Sequence, residues 1–459
     1  MFDLKKKYFY QSFILLILSG LVFVVLKKSF PKSILENQAV NDKLVLKDSL
    51  MIKAIQEEEK LTAKKDSIKK DTIPKKTEPV VQAPIVAKPL ERFYAELYKL
   101  EKGETKNVRI AYFGDSMNDG DLIVQDFRMF FQKEFGGKGV GLVNIYSKSQ
   151  ATRGSVHHKT SRNWRYSTFL KRLNNDAIGI TGYTAYANDT VSKDKKWVQY
   201  TGSYTPQKNM LHYPVLYYGK LDSIPSYINI DGSTDSIRLT GKMPLNKQLL
   251  STKTLKKLKI FFDTHNTPLY AVNFDNHKGI HIDNFSMRGN SGLPLSLLRS
   301  DLMHRFDKEL GYDLIILQFG TNVISKRKTN FDWYRKAMIK VVNHLKIAFP
   351  KADVLVLSVA DKSRKYDTEM QTDSAVYRLI PKQRAYATET NSGYISLYSL
   401  MGGKNAMISW VDKGLANKDY THFNSKGSKK IARLLYDKLL SGYKKYKKSL
   451  GVSIKNDKE

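Results

Sequence analysis

Apolar positions follow three different rhythms along this chain. Residues 108–113 form a run that is apolar at Val108, Ile110, Ala111, Tyr112 and Phe113 and ends in Gly114-Asp115-Ser116. Residues 122–135 follow with Ile123, Phe127, Phe130 and Phe131 at helical spacing, closed by Gly136-Gly137. Between 151 and 280 the runs become short and alternating: Trp197-Val198-Gln199-Tyr200, 214–218, 226–230 and Ile237-Arg238-Leu239, separated by Gly, Asn, Asp and Ser. That spacing predicts a β-sandwich-like unit. After 280, apolar strands at 314–319, 354–359 and 394–398 alternate with helices at 331–349 and 428–443. Fully apolar strands between helices predict a parallel sheet covered on both faces. The expected architecture is one α/β domain in two parts, 91–150 and 281–447, interrupted by a β-rich insertion at 151–280.

The N-terminal pattern is different again. Lys5-Lys6-Lys7 precede 8–26, an apolar run with no charged side chain. A helix of that length, at about 1.5 Å per residue, spans roughly the hydrocarbon layer of a bilayer. Lys27-Lys28-Ser29-Phe30-Pro31 follows in place of a small-residue cleavage site, so an uncleaved transmembrane anchor is expected. Residues 1–7 would then lie in the cytoplasm and the bulk of the chain on the outer side. Residues 27–90, rich in Lys, Glu and Ala, read as a solvated tether without chemistry, partly helical around Glu57-Glu58-Glu59-Lys60 and Lys64-Lys65 and then extended through Pro74, Pro79, Pro84 and Pro89. Residues 448–459 form a basic tail.

Composition narrows the function. The 459 residues contain no cysteine, which excludes disulfides, thiol nucleophiles, thiolate metal sites and a lipoprotein anchor. The formal net charge of +33 favours anionic polymers or headgroups. No zinc-finger, RNP-like or basic-zipper pattern accompanies it and the lysines are spread widely, so nucleic acid is not the expected partner.

A serine delivered by a strand into a turn is either a helix-capping residue or a nucleophile. As a nucleophile, Ser116 needs a base, an acid to orient the base, and donors for the developing oxyanion, all beyond the carboxyl ends of parallel strands. The strand at 314–319 ends in Gly320-Thr321-Asn322, and a glycine-bearing turn, Asn284-Phe285-Ser286-Met287-Arg288-Gly289-Asn290-Ser291-Gly292, precedes it. Asp419 and His422 lie three residues apart in a polar loop after Gly414. The Asp-x-x-His spacing is weak by itself, and a second copy, Asp301 and His304, falls within an amphipathic helical pattern where a structural pair is expected. His157-His158 and His277/His281 lack metal-ligand spacing, so neither a metal nor another cofactor is expected. Trp164, Tyr183, Tyr186, Trp197, Tyr200, Tyr213, Tyr217 and Tyr218 either fill a sandwich core or stack on sugar rings.

In this order, Gly114-Asp115-Ser116, the glycine block, Gly320-Thr321-Asn322 and Asp419-x-x-His422 resemble the blocks of SGNH (GDSL-type) hydrolases. The resemblance covers 91–150 and most of 281–447, and implies a three-layer α/β/α sandwich. It makes Ser116 the nucleophile, His422 the base and Asp419 its orienter, with the Ser116 N–H, the Gly289 N–H and the Asn322 amide as oxyanion donors. Met117 stands where the family has leucine, and the loose glycine block leaves Gly292 as an alternative to Gly289. Phe113-Gly114-Asp115-Ser116, Gly120-Asp121 and Phe135-Gly136-Gly137-Lys138-Gly139-Val140-Gly141, with the long β-rich insertion, resemble bacterial peptidoglycan O-acetylesterases. So do Met401-Gly402-Gly403-Lys404-Asn405-Ala406-Met407 and Trp410 ahead of the Asp-His loop. That implies a membrane-anchored acetylesterase facing the periplasm from the bacterial inner membrane, with a carbohydrate-binding-like insertion and an O-acetylated envelope glycan as substrate. A membrane-bound acyltransferase is left open as a partner. An O-acetyltransferase with the same triad, an inactive glycan-binding scaffold and a lipid-ester hydrolase are the rival readings.

Overall fold

The computed structural model of the chain describes residues 48–66, 89–171, 176–187, 195–204, 209–324 and 330–452. The anchor expected at 8–26 lies outside them, and among the described residues no helix is long and apolar enough to cross a membrane.

Five parallel strands form the central sheet, in the spatial order Gly279–Asn284, Asn107–Gly114, Leu314–Gln318, Asp353–Leu357 and Gly393–Ile395. The fold is therefore mixed α/β around a parallel sheet, as the apolar runs predicted. The strand leading to Ser116 shows why its run is apolar at every position but Arg109. Val108, Ile110 and Tyr112 enter one core with Phe93, Phe127, Phe131, Ile431 and Leu435 from the helices Glu91–Lys102, Val124–Phe135 and Ser425–Ser449. Ala111 and Phe113 enter the other with Phe306, Met338, Val342, Leu345 and Leu379 from Ser300–Leu310, Asp332–Ala348 and Ser374–Glu389. Each fully buried Leu, Phe or Met contributes about 1.5–3 kcal/mol through removal of apolar area from water.

The middle of the chain forms two antiparallel sheets. One runs Asn246–Leu249, Val215–Tyr218, Leu269–Asp275, Tyr183–Tyr186, Arg165–Thr168; the other Val156–Thr160, Lys196–Gly202, Lys257–Asp263, Tyr227–Ile230, Ser236–Arg238. A common core containing Val198, Tyr200, Leu216, Tyr218, Ile260, Val272 and Phe274 fills the space between them. The first sheet is also covered from behind, because Val215, Tyr217, Tyr270 and Ala271 join the core of the parallel sheet. Its strands Val215–Tyr218 and Leu269–Asp275 are accordingly buried at every position, whereas Lys196–Gly202 and Lys257–Asp263 alternate.

Three features depart from the expected layout. Gly139–Asn144, grouped by sequence with the first α/β segment, pairs antiparallel with Leu269–Asp275. A short apolar run buried on both faces looks the same in either kind of sheet. A hairpin, Ser363–Tyr366 with Glu369–Thr372, carries almost no apolar signal and was not expected. Lastly, the segment read as a partly helical, solvated tether holds the helix Ser49–Asp66, whose Leu50, Met51, Ala54 and Ile55 are not solvated but pack against the core of the parallel sheet.

A buried guanidinium knits the two kinds of sheet together. Arg109, 1% exposed, donates to both oxygens of Asp283 (2.7 and 2.9 Å), to Asp275 Oδ2 (2.7 Å) and to Asn273 Oδ1 (3.0 Å). Asp283 belongs to the parallel sheet, and Asn273 and Asp275 to the antiparallel one. Tyr312 donates a further hydrogen bond to Asp283 (2.7 Å). Paired and hydrogen-bonded in this way, the buried charges are compensated.

Candidate active site

The Ser116 strand ends at Gly114, where a Cβ would stand 2.7 Å from Ser286 Oγ and would have to displace that hydroxyl. Asp115 follows with extended backbone, and its carboxylate accepts the Met117 N–H (2.9 Å), capping the short turn Ser116–Asp121. Asn118 then pins the turn. Its Nδ2 donates to Asn284 Oδ1 (3.1 Å) and Ser286 Oγ (3.0 Å), and its Oδ1 accepts the N–H groups of Ile123 and Val124. Burial pushes the Asp115 carboxyl up to about 6, against hydrogen bonds from Met117 and Thr321 and the nearby His422 ring.

His422 arrives from the loop before the last helix. The Asn417 N–H donates to the His422 carbonyl (2.8 Å), Ala416 bridges to Phe423, and Asn424 caps the helix through the Gly427 N–H (3.1 Å). Tyr420, at φ 52°, turns the chain back so that Asp419 and His422 face each other. The unexpected hairpin braces this loop, with the Ser363 N–H on the Tyr420 carbonyl (3.0 Å).

Within the loop, Asp419 Oδ1 accepts the N–H groups of Thr421 and His422 (both 2.9 Å), and Oδ2 lies 2.7 Å from His422 Nδ1. His422 Nε2 lies 2.8 Å from Ser116 Oγ. A carboxylate can only accept, so Nδ1 carries the proton and Nε2 presents its lone pair to the serine hydroxyl. Burial pushes the Asp419 carboxyl up, but hydrogen bonds from the His422 ring and from the N–H groups of His422 and Thr421 outweigh it and hold it below the usual range. The Asp419 side chain is 48% exposed and that of His422 29%, so water reaches the pair.

The other blocks close around the serine. The Met287 N–H donates to the Gly114 carbonyl (3.1 Å), joining the glycine block to the serine turn. Asn322 Nδ2 donates to the Asn290 carbonyl (3.1 Å), joining the third block to the second, and Thr321 hydrogen-bonds Asp115. Gly289, at φ 78°, offers an N–H that has no acceptor among the described residues; the same holds for Ser116. The Gly292 N–H is committed to Asn290 Oδ1 (2.9 Å), which favours Gly289 over Gly292 as a donor.

The second Asp-x-x-His copy builds nothing comparable. Asp301 pairs with Arg299, and His304 Nδ1 meets the Ala348 carbonyl at 3.2 Å. Of the other histidines, His158 stacks on Tyr200 and reaches the Ile145 carbonyl (3.1 Å), and His281 is buried near Asp275. Trp164, Tyr183, Tyr186, Tyr200, Tyr217 and Tyr218 are buried, as core residues would be.

Sequence reasoning missed two groups near the site. Lys362, leading into the hairpin, has Asp419 and Asp115 within electrostatic reach; burial draws its ammonium below the ordinary value, with Asp373 opposing. Asp48 touches the glycine block from the supposed tether.

No protein-family model matches the chain, and no curated protein matches it. Among solved structures, a peptidoglycan O-acetylesterase superposes with a TM-score of 0.64 at 22% identity, covering 77% of this chain and 96% of that one. An acetyl xylan esterase (TM-score 0.28, 19% identity, 35% of this chain and 81% of that one) and a family two carbohydrate esterase from Cellvibrio japonicus (0.27, 9%, 63% and 98%) superpose far less well. The fold is that of an SGNH-type hydrolase. Within that class the chain resembles, in fold, a peptidoglycan O-acetylesterase over nearly that enzyme's whole length.

Proposed function

We propose that the protein is a serine esterase that removes O-acetyl groups from an envelope glycan through an acetyl-serine intermediate. The observation that carries this reading is the unbroken relay from Ser116 Oγ through His422 to Asp419, at 2.8 and 2.7 Å. Ser116 Oγ attacks the acetyl carbonyl as His422 Nε2 takes its proton, and Asp419 stabilises the imidazolium. The oxyanion is received by the N–H groups of Ser116 and Gly289 and by the Asn322 amide. As the C–O bond to the sugar breaks, His422 gives the proton to the departing sugar oxygen, which leaves as a hydroxyl with Ser116 acetylated. Water, deprotonated by His422, attacks in turn and releases acetate. In this reading residues 8–26 anchor the enzyme in the bacterial inner membrane with its catalytic part in the periplasm. The antiparallel sheets form an inserted, carbohydrate-binding-like unit that grips the polymer.

An O-acetyltransferase would use the same triad but must keep water from the acyl-enzyme. The exposure of His422 and Asp419 favours hydrolysis. The test is acetate release by the full-length protein from O-acetylated peptidoglycan and from 4-nitrophenyl acetate, beside Ser116→Ala. Release from both substrates that vanishes in the variant is expected. Acetyl transfer to an added sugar without glycan hydrolysis would replace the esterase by the transferase. No Ser116-dependent turnover would leave the inactive scaffold.

A further inference from the structure

Asp48 opens the helix Ser49–Asp66, and its Oδ1 accepts the Met51 N–H (3.1 Å). That contact alone would make it an ordinary helix cap, a role that Ser, Thr or Asn fills as well. Asp48 does more. It is 3% exposed and forms no ion pair with any described residue. Its Oδ2 is taken up entirely by a residue 243 positions away: it accepts both the backbone N–H of Ser291 (3.2 Å) and the Ser291 hydroxyl. A carboxylate enclosed without a cation is tolerable only when such donors converge on it.

The far side of the same peptide unit faces the site. The Asn290 carbonyl, coplanar with the Ser291 N–H, accepts the hydrogen bond from Asn322 Nδ2 (3.1 Å). One rigid plane is thus clamped from behind by Asp48 and from the front by the Asn322 amide. Holding the N–H fixes the direction of the carbonyl, and the carbonyl fixes the rotation of the amide. One Asn322 N–H is spent on Asn290, which leaves the second to point elsewhere. The Tyr334 hydroxyl on the Ser291 carbonyl (2.8 Å) steadies the next peptide, and Gly289 lies immediately before the clamped unit.

From this arrangement, and building on the esterase reading above, we infer that Asp48 is a positioning residue for the oxyanion donors. Through the Asn290–Ser291 peptide it sets the Asn322 amide and steadies the Gly289 turn. The segment between the expected anchor and the catalytic part is then a piece of the active site's support. Leu50, Met51, Ala54 and Ile55 keep the helix seated so that the carboxylate stays buried.

The experiment is a double-mutant cycle in the full-length protein, with 4-nitrophenyl acetate as probe. Asp48→Ala is expected to lower kcat about tenfold with KM changed less than about twofold, and Asp48→Asn to recover part of the loss. In an Asn322→Ala background the Asp48→Ala effect should shrink to within about twofold, because the amide it orients is gone. Equal losses in both backgrounds, or an unchanged kcat, would overturn the inference. Should Asp48→Ala fail to fold by circular dichroism, Asp48→Asn and Ser291→Ala complete the cycle under the same criteria. Wild-type protein without Ser116-dependent turnover would sink the esterase reading itself, and this inference with it. Ser116-dependent turnover indifferent to Asp48 would sink only the latter.

Discussion

The chain carries the Asp-x-x-His spacing twice, and the two copies behave oppositely. Asp301 and His304 sit on the regular helix Ser300–Leu310, whose Asp301 is already engaged by Arg299 (2.6 Å) and whose His304 turns to the Ala348 carbonyl. Asp419 and His422 sit on a loop that reverses at Tyr420, letting one carboxylate take two backbone N–H groups and the imidazole together. Spacing brings two side chains near each other; the neighbours decide whether they meet. The loop copy also lies where the parallel strands end, with His422 Nε2 2.8 Å from Ser116 Oγ, while the other lies on a covering helix.

The sharpest way to break this contrast is at the nucleophile. Ser116→Ala and His422→Ala should each lower aryl-acetate kcat by at least about 10³-fold, and retained turnover in either would remove the triad. Asn322→Ala should cost about 10²–10³-fold in kcat, the size found when one oxyanion donor is lost. Asp419→Asn should cost roughly 10²-fold or more, because the imidazole loses its orienting charge.

The two carboxyls also titrate for different reasons, which carbon-detected NMR can separate. The hydrogen bond from Arg299 holds Asp301 below the usual range, so Arg299→Ala should raise it while His304→Ala leaves it in place. Asp419 should instead rise in His422→Ala. In both copies the folded value lies below the unfolded one. Each interaction therefore adds stability above the ordinary carboxylate range, and loses it as pH falls through the folded value. A rise of Asp301 in His304→Ala would mean that the helical pair interacts after all. The smallest effect expected is that of Asp301→Asn, with activity within about twofold and stability within roughly 0.5 kcal/mol of wild type by thermal denaturation, as for an exposed pair.

What the amino-acid order discloses follows from the kind of force involved. Residues 314–319 and 354–359 declare themselves because a strand covered on both faces must be apolar throughout. Ser116, Asn322, Asp419 and His422 stand out because the proposed chemistry tolerates few residue types and the strand ends fix their order. Asp48 is silent, since nothing local distinguishes a helix-capping aspartate from one that also holds a peptide 243 positions away. The hairpin Ser363–Tyr366/Glu369–Thr372 is silent too: its residues are mostly polar and it meets the Tyr420 loop through a backbone hydrogen bond. Gly139–Asn144, placed by sequence with the α/β part, could not be assigned to its sheet, because burial on both faces erases the alternation that would mark it.

Arg109 has a consequence for anyone who would take this protein apart. Its counter-charges come from both kinds of sheet, so deleting 139–275 to isolate the hydrolase would strip away Asp275 and Asn273 and leave Asp283 as its sole acidic partner. The reverse excision would strand Asp275 without its cation. Neither half is a cassette that can be lifted out or swapped at its apparent seams. A grafted relative would have to bring its own answer to one buried positive charge.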